Sequence, residues 1–260
     1  MTDPPVDAPS SIEERRAGRE LLLESVFRPL SNLFVPLLQR IGVSPPAVVL
    51  ANAAVGLLAA LALGRGQLIG AAVLLQLKTL LDNMDGQLAR ASGRVTLTGR
   101  YLDTVADLVV NAALFAMLGY VTGQPFLAAV SFVALTLVLA VDFNVTELYR
   151  EAHDIPRRQP VATGGPAERV LASLYAILFA PLDRAVRSVS EWRFGGRAAY
   201  DRFSVTFLAN LGLTTQLTML GLCLLLGAPS AYLWFALVCL VALVPLQLRA
   251  ERQARAAVAS

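Results

Sequence analysis

Four aspartates are the residues whose types and spacing best suit catalysis. They form two pairs, Asp82 with Asp85 and Asp103 with Asp107. Residues three or four apart share one face of an α-helix, so each pair presents its two carboxylates in the same direction. Four such groups held together would repel one another unless cations lay between them. Carboxylate oxygens suit Mg²⁺ or Mn²⁺, and this density of ligands predicts two ions.

The residues that follow the first acidic pair predict a site for a diphosphate. Gly86 comes directly after Asp85, Ala89 lies one turn later, and Arg90 follows it. Two small side chains let a ligand approach the helix backbone, and the forked guanidinium of an arginine suits phosphate oxygens. Acids that bind metal ions, small residues and an arginine together indicate phosphoryl transfer.

The elements that carry these residues are long and apolar. Hydrophobic residues make up 56% of the 260-residue chain and charged residues only 16%, a composition that predicts lipid over much of the surface. A helix needs about 20 mainly apolar residues to cross the hydrocarbon core of a membrane. Six segments meet this requirement and predict an all-α integral membrane protein: 46–64, 67–88, 99–120, 125–148, 205–226 and 229–248.

The distribution of arginines supports six spans. Arginines are frequent in the N-terminal segment, after the second span, after the fourth span and in the C-terminal tail, whereas the three intervening loops contain only Arg65. Under the positive-inside rule this alternation places both termini in the cytoplasm. The aspartates, at the end of the second span and the start of the third, then face the cytoplasm. The net charge of +3 gives no indication of nucleic-acid binding.

Two further segments are predicted not to span. Residues 12–40 carry apolar side chains at helical spacing between arginines, which predicts an amphipathic helix in the cytoplasmic interface. Residues 167–187 have a short apolar middle, which predicts a second interfacial helix or, alternatively, a short hairpin that enters the membrane. The chain is thus divided into a cytoplasmic N-terminal segment, 1–44, and a six-span domain, 45–260, which includes a cytoplasmic or interfacial insert, 151–204.

The chain resembles the CDP-alcohol phosphotransferase family, also called the CDP-alcohol phosphatidyltransferases. The family signature matches without departure at eight positions within 26 residues: Asp82-x-x-Asp85-Gly86-x-x-Ala89-Arg90, then eight residues, then Gly99-x-x-x-Asp103-x-x-x-Asp107. So many fixed positions at fixed gaps make the pattern highly specific. The six spans and the turn at 40–45, which leads into the first span, also look like the family.

This resemblance implies a fold, a metal site and a reaction. The implied fold has six transmembrane helices, usually paired as a homodimer, around a polar cavity that faces the cytoplasm. Two divalent ions would be held by the four aspartates, Asp82, Asp85, Asp103 and Asp107, of which Asp107 is also the expected general base. The CDP site would be lined by Gly86, Ala89, Arg90 and Gly99. An alcohol would attack the donor phosphorus in line, and CMP would leave.

Other polar residues are candidates for contacts with a phosphate or with the acceptor. Lys78 lies one turn before Asp82 on the same face, so it either contacts a phosphate, pairs with Asp82 or extends to the interface. Two groups lie near or after the end of the fourth span: Asp142, Asn144 and Glu147, and the arginines Arg150, Arg157 and Arg158. The first group either lines an acceptor cavity or forms an ordinary polar helix end. The arginines either attract an anionic acceptor or contact lipid headgroups.

These features predict a membrane enzyme of phospholipid synthesis. The favoured donor is CDP-diacylglycerol and the favoured acceptor a polar alcohol such as glycerol phosphate or an inositol compound. Gln87-Leu88 and the small six-span size look like the prokaryotic branch that uses CDP-diacylglycerol. The opening Leu81-Asp82-Asn83 looks somewhat like the alternative branch, which joins CDP-choline or CDP-ethanolamine to diacylglycerol. Two remote alternatives are an aspartate-rich membrane prenyltransferase, whose motifs lack the Gly-x-x-Ala-Arg continuation, and a divalent-cation transporter, whose acids should lie near the bilayer midplane.

Overall fold

The computed structural model describes residues 17–156, 159–194 and 200–259, and it is almost wholly helical there, which confirms the all-α prediction. A π-helical turn at Leu23–Phe27 precedes the α-helices of the described ranges: α1 (Arg28–Arg40), α2 (Pro45–Gly64), α3 (Leu68–Ala91), α4 (Leu97–Thr122), α5 (Pro125–Ala152), α6 (Pro166–Leu178), α7 (Ala180–Phe194), α8 (Arg202–Ala209), α9 (Leu213–Leu225), α10 (Pro229–Val241) and α11 (Leu243–Ala259).

Proline and glycine set the ends of the long helices. Both α5 and α10 begin with a proline, Pro125 and Pro229, where the missing N–H costs no helical hydrogen bond. The turns before them contain Gly123 and Gly227 at φ of 67° and 69°, a left-handed conformation that side chains disfavour. Because both turns are short, α4 and α5 are antiparallel neighbours, and so are α9 and α10.

Five helical segments of the described residues are long and apolar enough to cross a membrane: Pro45–Gly64, Leu97–Thr122, Pro125–Ala152, Arg202–Leu225 and Pro229–Arg255. They coincide with five of the six predicted spans. The remaining predicted span, 67–88, is α3, a helix of 24 residues that carries Lys78, Asp82 and Asp85. These charges give α3 a composition unlike the other five, so the count of six stays a prediction.

The helices pack into one bundle. α2 packs most extensively against α3 and α4, α9 lies against α3, and α5 lies between α4 and α10. The central contacts are made by fully buried leucines, among them Leu63, Leu75, Leu118 and Leu220. Large apolar side chains also point outward along the spans, such as Leu61, Val73 and Trp234. An apolar exterior around long apolar helices is that of an integral membrane protein.

The N-terminal helix predicted at 12–40 is helical from residue 21 onward, whereas residues 12–16 lie outside the described part of the chain. α1 buries Ser31 and Val35 and packs on α3. Its other face remains apolar and open, with Leu33 at 71% and Leu37 at 54% exposure. The placement of this face in the membrane interface stays a prediction.

The segment predicted as one helix at 167–187 forms two. α6 ends at Leu178 and α7 begins at Ala180. Pro181 has no N–H to bond to the Ile177 carbonyl, and its ring conflicts with that carbonyl, so the helix is interrupted just before it. α6 packs on α4 and α7 packs on α5, so this α6–α7 hairpin covers one end of the bundle. A parallel bridge between Thr96 and Val161 also joins the hairpin's leading segment to the α3–α4 loop.

Candidate active site

The end of α3 and the start of α4 place the motif residues next to one another. The connecting loop is short because Ser92 and Arg94 close α3 with backbone hydrogen bonds to Leu88 and Ala89. Thr96 then caps α4, and its Oγ1 accepts a 3.1 Å hydrogen bond from the Gly99 amide. Gly99, a predicted donor-site residue, therefore lies in the first turn of α4.

Three of the four predicted acids form a compact group. One carboxylate oxygen from each of Asp82, Asp85 and Asp103 lies within 4.8 Å of the others. Asp85 Oδ2 and Asp103 Oδ1 are buried without a hydrogen-bond partner, although buried carboxylate oxygens normally have one. Oxygen ligands at this spacing fit a hard divalent cation, which would satisfy both orphaned atoms.

A residue of the neighbouring helix α2 forms a hydrogen bond with Asp82. Asn52 of α2 is buried, and its Nδ2 donates a 3.0 Å hydrogen bond to Asp82 Oδ1. The neutral amide orients the carboxylate without cancelling its charge. Asn52 is not predictable as a site residue from the sequence, because an asparagine within an apolar helix has no spacing that relates it to the motif.

Asp107 has a different environment from the other acids. Its Oδ1 lies 2.7 Å from Lys78 Nζ, and the same ammonium is 3.8 Å from Asp82 Oδ1. The Lys78 side chain is fully buried, so it does not extend to an interface. Of the roles left open for Lys78, pairing with an acid is observed, and the closer acid is Asp107.

The residues predicted to bind the donor follow the first acidic pair toward the C-terminal end of α3. Arg90 is exposed, and a Cβ added at Gly86 would lie 3.3 Å from Arg90 Nη1. The missing side chain of Gly86 thus leaves room for the guanidinium, one turn further along α3. Ala89 is half-buried beside them.

A cavity of about 200 Å³ opens beside Asp103 and Asp107. It extends along α4 and α5 to Asn111 and Thr136, and the α6–α7 hairpin closes its side. Its lining comes from α4, α5, α6, α7 and α9: Arg100, Asp103, Thr104, Asp107, Leu108, Asn111, Leu135, Thr136, Leu139, Ala140, Phe143, Tyr175, Phe179, Asp183 and Leu213. The end near the acids is polar and most of the remaining wall is apolar.

A hydrogen-bonded group holds the hairpin over this cavity. Tyr175 Oη donates to Asp183 Oδ2 at 2.7 Å, and Asn144 Nδ2 donates to Asp183 Oδ1 at 2.8 Å. Burial, together with the bond to Asp183, raises the pKa of Tyr175 to about 12, so its hydroxyl stays protonated. Arg100 lies over the Phe143 ring at 5.4 Å. Arg100, Tyr175 and Asp183 were not predicted as site residues from the sequence, because they lie at no fixed spacing from the motif.

The other residues predicted to contact a phosphate or the acceptor lie in different environments. Asn144 is buried and supports Asp183 rather than lining the cavity itself. Arg150 lies in the last turn of α5, and its Nε is buried without a partner. Arg157 and Arg158 lie outside the described residues. Asp142 faces α8 and α9, where its Oδ2 would lie 3.9 Å from a Cβ at Gly212.

An N-terminal strap, residues 17–21, brings a further acid to the bundle. Asn210 holds the strap, since its Nδ2 donates to the Arg19 carbonyl at 2.7 Å and its Oδ1 accepts from the Leu21 amide at 2.9 Å. Gly18 is required there, because a Cβ would lie 2.9 Å from the Val205 carbonyl oxygen. Burial raises the pKa of Glu20 from 4.5 to about 7, opposed by a hydrogen bond with Thr214.

Residues 43–194 match the family model described as CDP-alcohol phosphatidyltransferase. The chain belongs to this family. The matched region is more than half of the chain and contains all eight motif positions, the acid group and most of the cavity lining. The family predicted from the sequence is thereby confirmed, and a phospholipid-synthesis transferase family accounts for the membrane character of the helices.

Three curated relatives are similar over parts of their length. A phosphatidylinositol phosphate synthase from Streptomyces avermitilis is 33% identical over 159 residues, 58% of this chain and 63% of the relative. Another from Mycobacteroides abscessus is 34% identical over 97 residues, 37% and 44% of the two chains. A bifunctional IPC transferase and DIPP synthase from Thermococcus kodakarensis is 33% identical over 115 residues, 42% and 26%. No solved structure matches the chain.

Proposed function

We propose that this protein transfers a phosphatidyl group from CDP-diacylglycerol to the hydroxyl of a polar acceptor and releases CMP. The single observation that carries the proposal is the group formed by Asp82, Asp85 and Asp103 at the polar end of the cavity. The group lies within the region that matches the family. A site with three convergent acids, an adjacent fourth acid and an arginine fits phosphoryl transfer.

The acids fit Mg²⁺ or Mn²⁺, with Asp82, Asp85 and Asp103 as ligands and Asp107 as the fourth ligand implied by the family. When bound, the metal would neutralise the diphosphate of the donor. The proposal includes two ions, as the family resemblance implies. The exposed Arg90, whose guanidinium lies in the space left by the missing side chain of Gly86, would contact the phosphates of the CDP moiety.

The acceptor would enter through the cavity that Asp107 lines. Its hydroxyl oxygen would attack the phosphorus of the phosphatidyl group, the bond from that phosphorus to the oxygen of CMP would break, and CMP would leave with the bonding electrons. Asp107 would accept the hydroxyl proton, since its carboxylate faces the cavity. Most of the cavity wall is apolar, and this part would hold the glycerol backbone and first acyl carbons of the donor, CDP-diacylglycerol.

We propose an inositol phosphate as the acceptor, with glycerol phosphate as the next candidate. Two of the relatives are named for phosphatidylinositol phosphate. Arg100 lines the cavity, and Arg150 has a buried Nε without a partner, so both offer donors to an anionic acceptor. We propose that the site faces the cytoplasm, as the distribution of arginines predicts. We also propose that the protein is a homodimer, as the family resemblance implies.

The test is an assay of CMP release by the purified protein in lipid nanodiscs. It combines labelled CDP-diacylglycerol with Mg²⁺ and a panel of acceptors: inositol phosphate, inositol, glycerol phosphate and serine. We expect release with a phosphorylated polyol and none with chelator. Release only when CDP-choline or CDP-ethanolamine is combined with diacylglycerol would move the chain to the alternative branch. No release with any pair would contradict the proposed function.

A further inference from the structure

Asn111 of α4 is a buried amide that lines the cavity beyond the acids. Only 5% of the residue is exposed, and its side chain forms part of the cavity wall. Among the described residues, none forms a hydrogen bond with this side chain. Buried side-chain amides normally have a partner, because an unpaired donor in apolar surroundings is costly. The open amide therefore indicates a ligand that brings a hydrogen-bonding atom to this part of the cavity.

The position of Asn111 along α4 relates it to the reacting group. Asp103, Asp107 and Asn111 follow one another at intervals of four residues, so they share one face of the helix. At about 1.5 Å per residue, Asn111 lies about 6 Å beyond Asp107. The ester groups of a diacylglycerol are only a few bonds from the phosphorus that would react beside Asp107. An ester of the donor lipid is therefore within reach of the amide.

The walls that share this part of the cavity favour the lipid over the acceptor. Leu135 and Leu139 of α5 line it with apolar side chains. The Thr136 hydroxyl also lines it, but this hydroxyl donates to the Phe132 carbonyl of its own helix at 2.9 Å. A phosphorylated polyol here would leave several hydroxyls without partners, which is costly. An ester carbonyl needs one donor, which Asn111 offers, and the acyl chain attached to the carbonyl fits the apolar walls.

We propose that Asn111 is a specificity-determining residue for the donor, and that its side-chain amide donates a hydrogen bond to an ester carbonyl of CDP-diacylglycerol. An ether-linked lipid has no carbonyl at this position, so the site prefers a diacyl donor to a dialkyl donor. This contact rests on the proposed function, because it concerns the donor of that reaction. The four motif acids keep the roles assigned to them.

Two donors that differ only in their linkage test the contact: CDP-diacylglycerol and a dialkyl analogue with ether links and the same chain length. CMP release in lipid nanodiscs is measured for each donor with Mg²⁺ and the most active acceptor of the same panel. We expect the wild type to have a kcat/KM about tenfold higher for the diacyl donor, since one hydrogen bond from a buried amide is worth about that factor.

Asn111→Leu keeps the approximate size of the side chain and removes its donor. This variant should lower kcat/KM for the diacyl donor about tenfold and leave the value for the dialkyl donor unchanged or higher, so that the preference is lost. Thr136→Val is the matched control, because it removes a hydroxyl of the same cavity whose proton is already bonded. The ratio between the two donors should then stay that of the wild type.

Dissociation constants give the same comparison without turnover. Each unlabelled donor competes with labelled CDP-diacylglycerol for the protein in the absence of an acceptor. We expect the wild type to bind the diacyl donor about tenfold more tightly than the dialkyl donor, and Asn111→Leu to bind both equally.

Three results would overturn the inference: equal kcat/KM of the wild type for both donors, an equal loss for both donors in Asn111→Leu, or a raised KM for the acceptor with an unchanged donor ratio. The second would indicate a structural role for Asn111, and the third a contact with the acceptor. Should Asn111→Leu not fold, Asn111→Ala replaces it, because it also removes the donor and the ratio remains the criterion. Absence of CMP release by the wild type from every pair would instead contradict the proposed function, and the competition experiment would still test the contact.

Discussion

At the scale of single residues, Asp85 is the acid with the strongest requirement for a cation. It is buried, and its Oδ2 has no partner. Asp85→Asn should abolish CMP release and weaken Mn²⁺ binding, while the protein stays folded because one of several mutually repelling charges is removed. Asn83→Ala is the control, because the Asn83 side chain donates a hydrogen bond to the Thr79 carbonyl of its own helix. A folded Asp85→Asn protein with the wild-type rate would exclude the assigned metal site.

Arg90 provides a second prediction at this scale, on donor binding. Arg90→Ala should raise the dissociation constant for CDP-diacylglycerol, because a charged hydrogen bond to a phosphate contributes about 1.5–3 kcal/mol, or roughly tenfold to a hundredfold in affinity. Mn²⁺ binding should be retained. Arg94→Ala, an exposed arginine of the following loop, is the matched control for loss of charge. Equal effects of the two changes would indicate general electrostatics rather than a contact by Arg90.

The sequence predicted which residues of the motif would meet, because spacing along a helix determines which side chains share a face. Of the four acids predicted to converge, the structure brings Asp82, Asp85 and Asp103 into one group. The partner of Lys78 was not predictable by the same argument. Asp82 is one turn away in sequence, whereas Asp107 is 29 positions away and comes near Lys78 only because α3 and α4 both pack on α2.

At the scale of elements, the α6–α7 hairpin was only partly predictable. Its helical character follows from composition, and Pro181 marks the bend. Its position over the cavity depends on contacts that join distant segments, such as Asn144 with Asp183. Thr163 and Thr98 add hydrogen bonds to Glu168, and those from Thr163 hold the pKa of Glu168 below its usual value. No local pattern in the sequence relates these residues.

Asp183 tests the role of the hairpin. Asp183→Ala removes the acceptor of the half-buried Tyr175 Oη and one of the two acceptors of the buried Asn144 Nδ2, which keeps its 2.9 Å bond to the Ala140 carbonyl. Loss of a hydrogen-bond partner costs a buried group about 1–3 kcal/mol. We expect Tm to fall relative to the wild type. We also expect the KM for the acceptor to rise more than the KM for the donor. Glu151→Ala is the control, because Glu151 also joins α5 to α7, through an exposed ion pair with Arg187 at 3.0 Å. Exposed pairs contribute little, so this variant should resemble the wild type.

The N-terminal strap predicts a pH dependence of stability. Burial raises the pKa of Glu20 from 4.5 to about 7, so between these values the folded protein binds more protons than the unfolded chain. This contribution is fully present below pH 4.5 and is lost as the pH rises through about 7. Glu20→Gln should therefore raise Tm at pH 8 and change it little at pH 5. Thermal unfolding in detergent measures this, with the exposed Glu191→Gln as control. An equal shift at both pH values would refute the argument.

At the scale of the whole molecule, composition predicted the all-helical membrane architecture, whereas the sidedness that arginine placement predicts stays a prediction. The last two predicted spans, 205–226 and 229–248, are each bent rather than straight. The first bends around Gly212, between α8 and α9. The second bends at Ala242, because the ring of Pro245 conflicts with the Val241 carbonyl four residues earlier. Such bends leave the hydropathy unchanged, so a search for apolar segments does not detect them.

The number of spans depends on whether the charged helix α3 crosses the membrane. Its 24 residues extend for about 36 Å, enough to cross a hydrocarbon core of about 30 Å. Its lysine is buried within the bundle and its acids lie toward its C-terminal end, away from lipid. α3 is also the antiparallel neighbour of α2 across a turn of a few residues. A helix in this arrangement crosses the membrane with α2, so we predict six spans.

Single-cysteine labelling tests this count in a background in which Cys223 and Cys239, both buried, are replaced by alanine. If α3 crosses, four spans separate residue 44 from residue 163, and both positions lie on the same side. Cysteines there should react with an impermeant maleimide only after the cells are opened, whereas cysteines at positions 123 and 227 should react in intact cells. If α3 did not cross, positions 44 and 163 would lie on opposite sides. The labelling of Ser44→Cys and Thr163→Cys in intact cells would then differ, and the six-span prediction would be wrong.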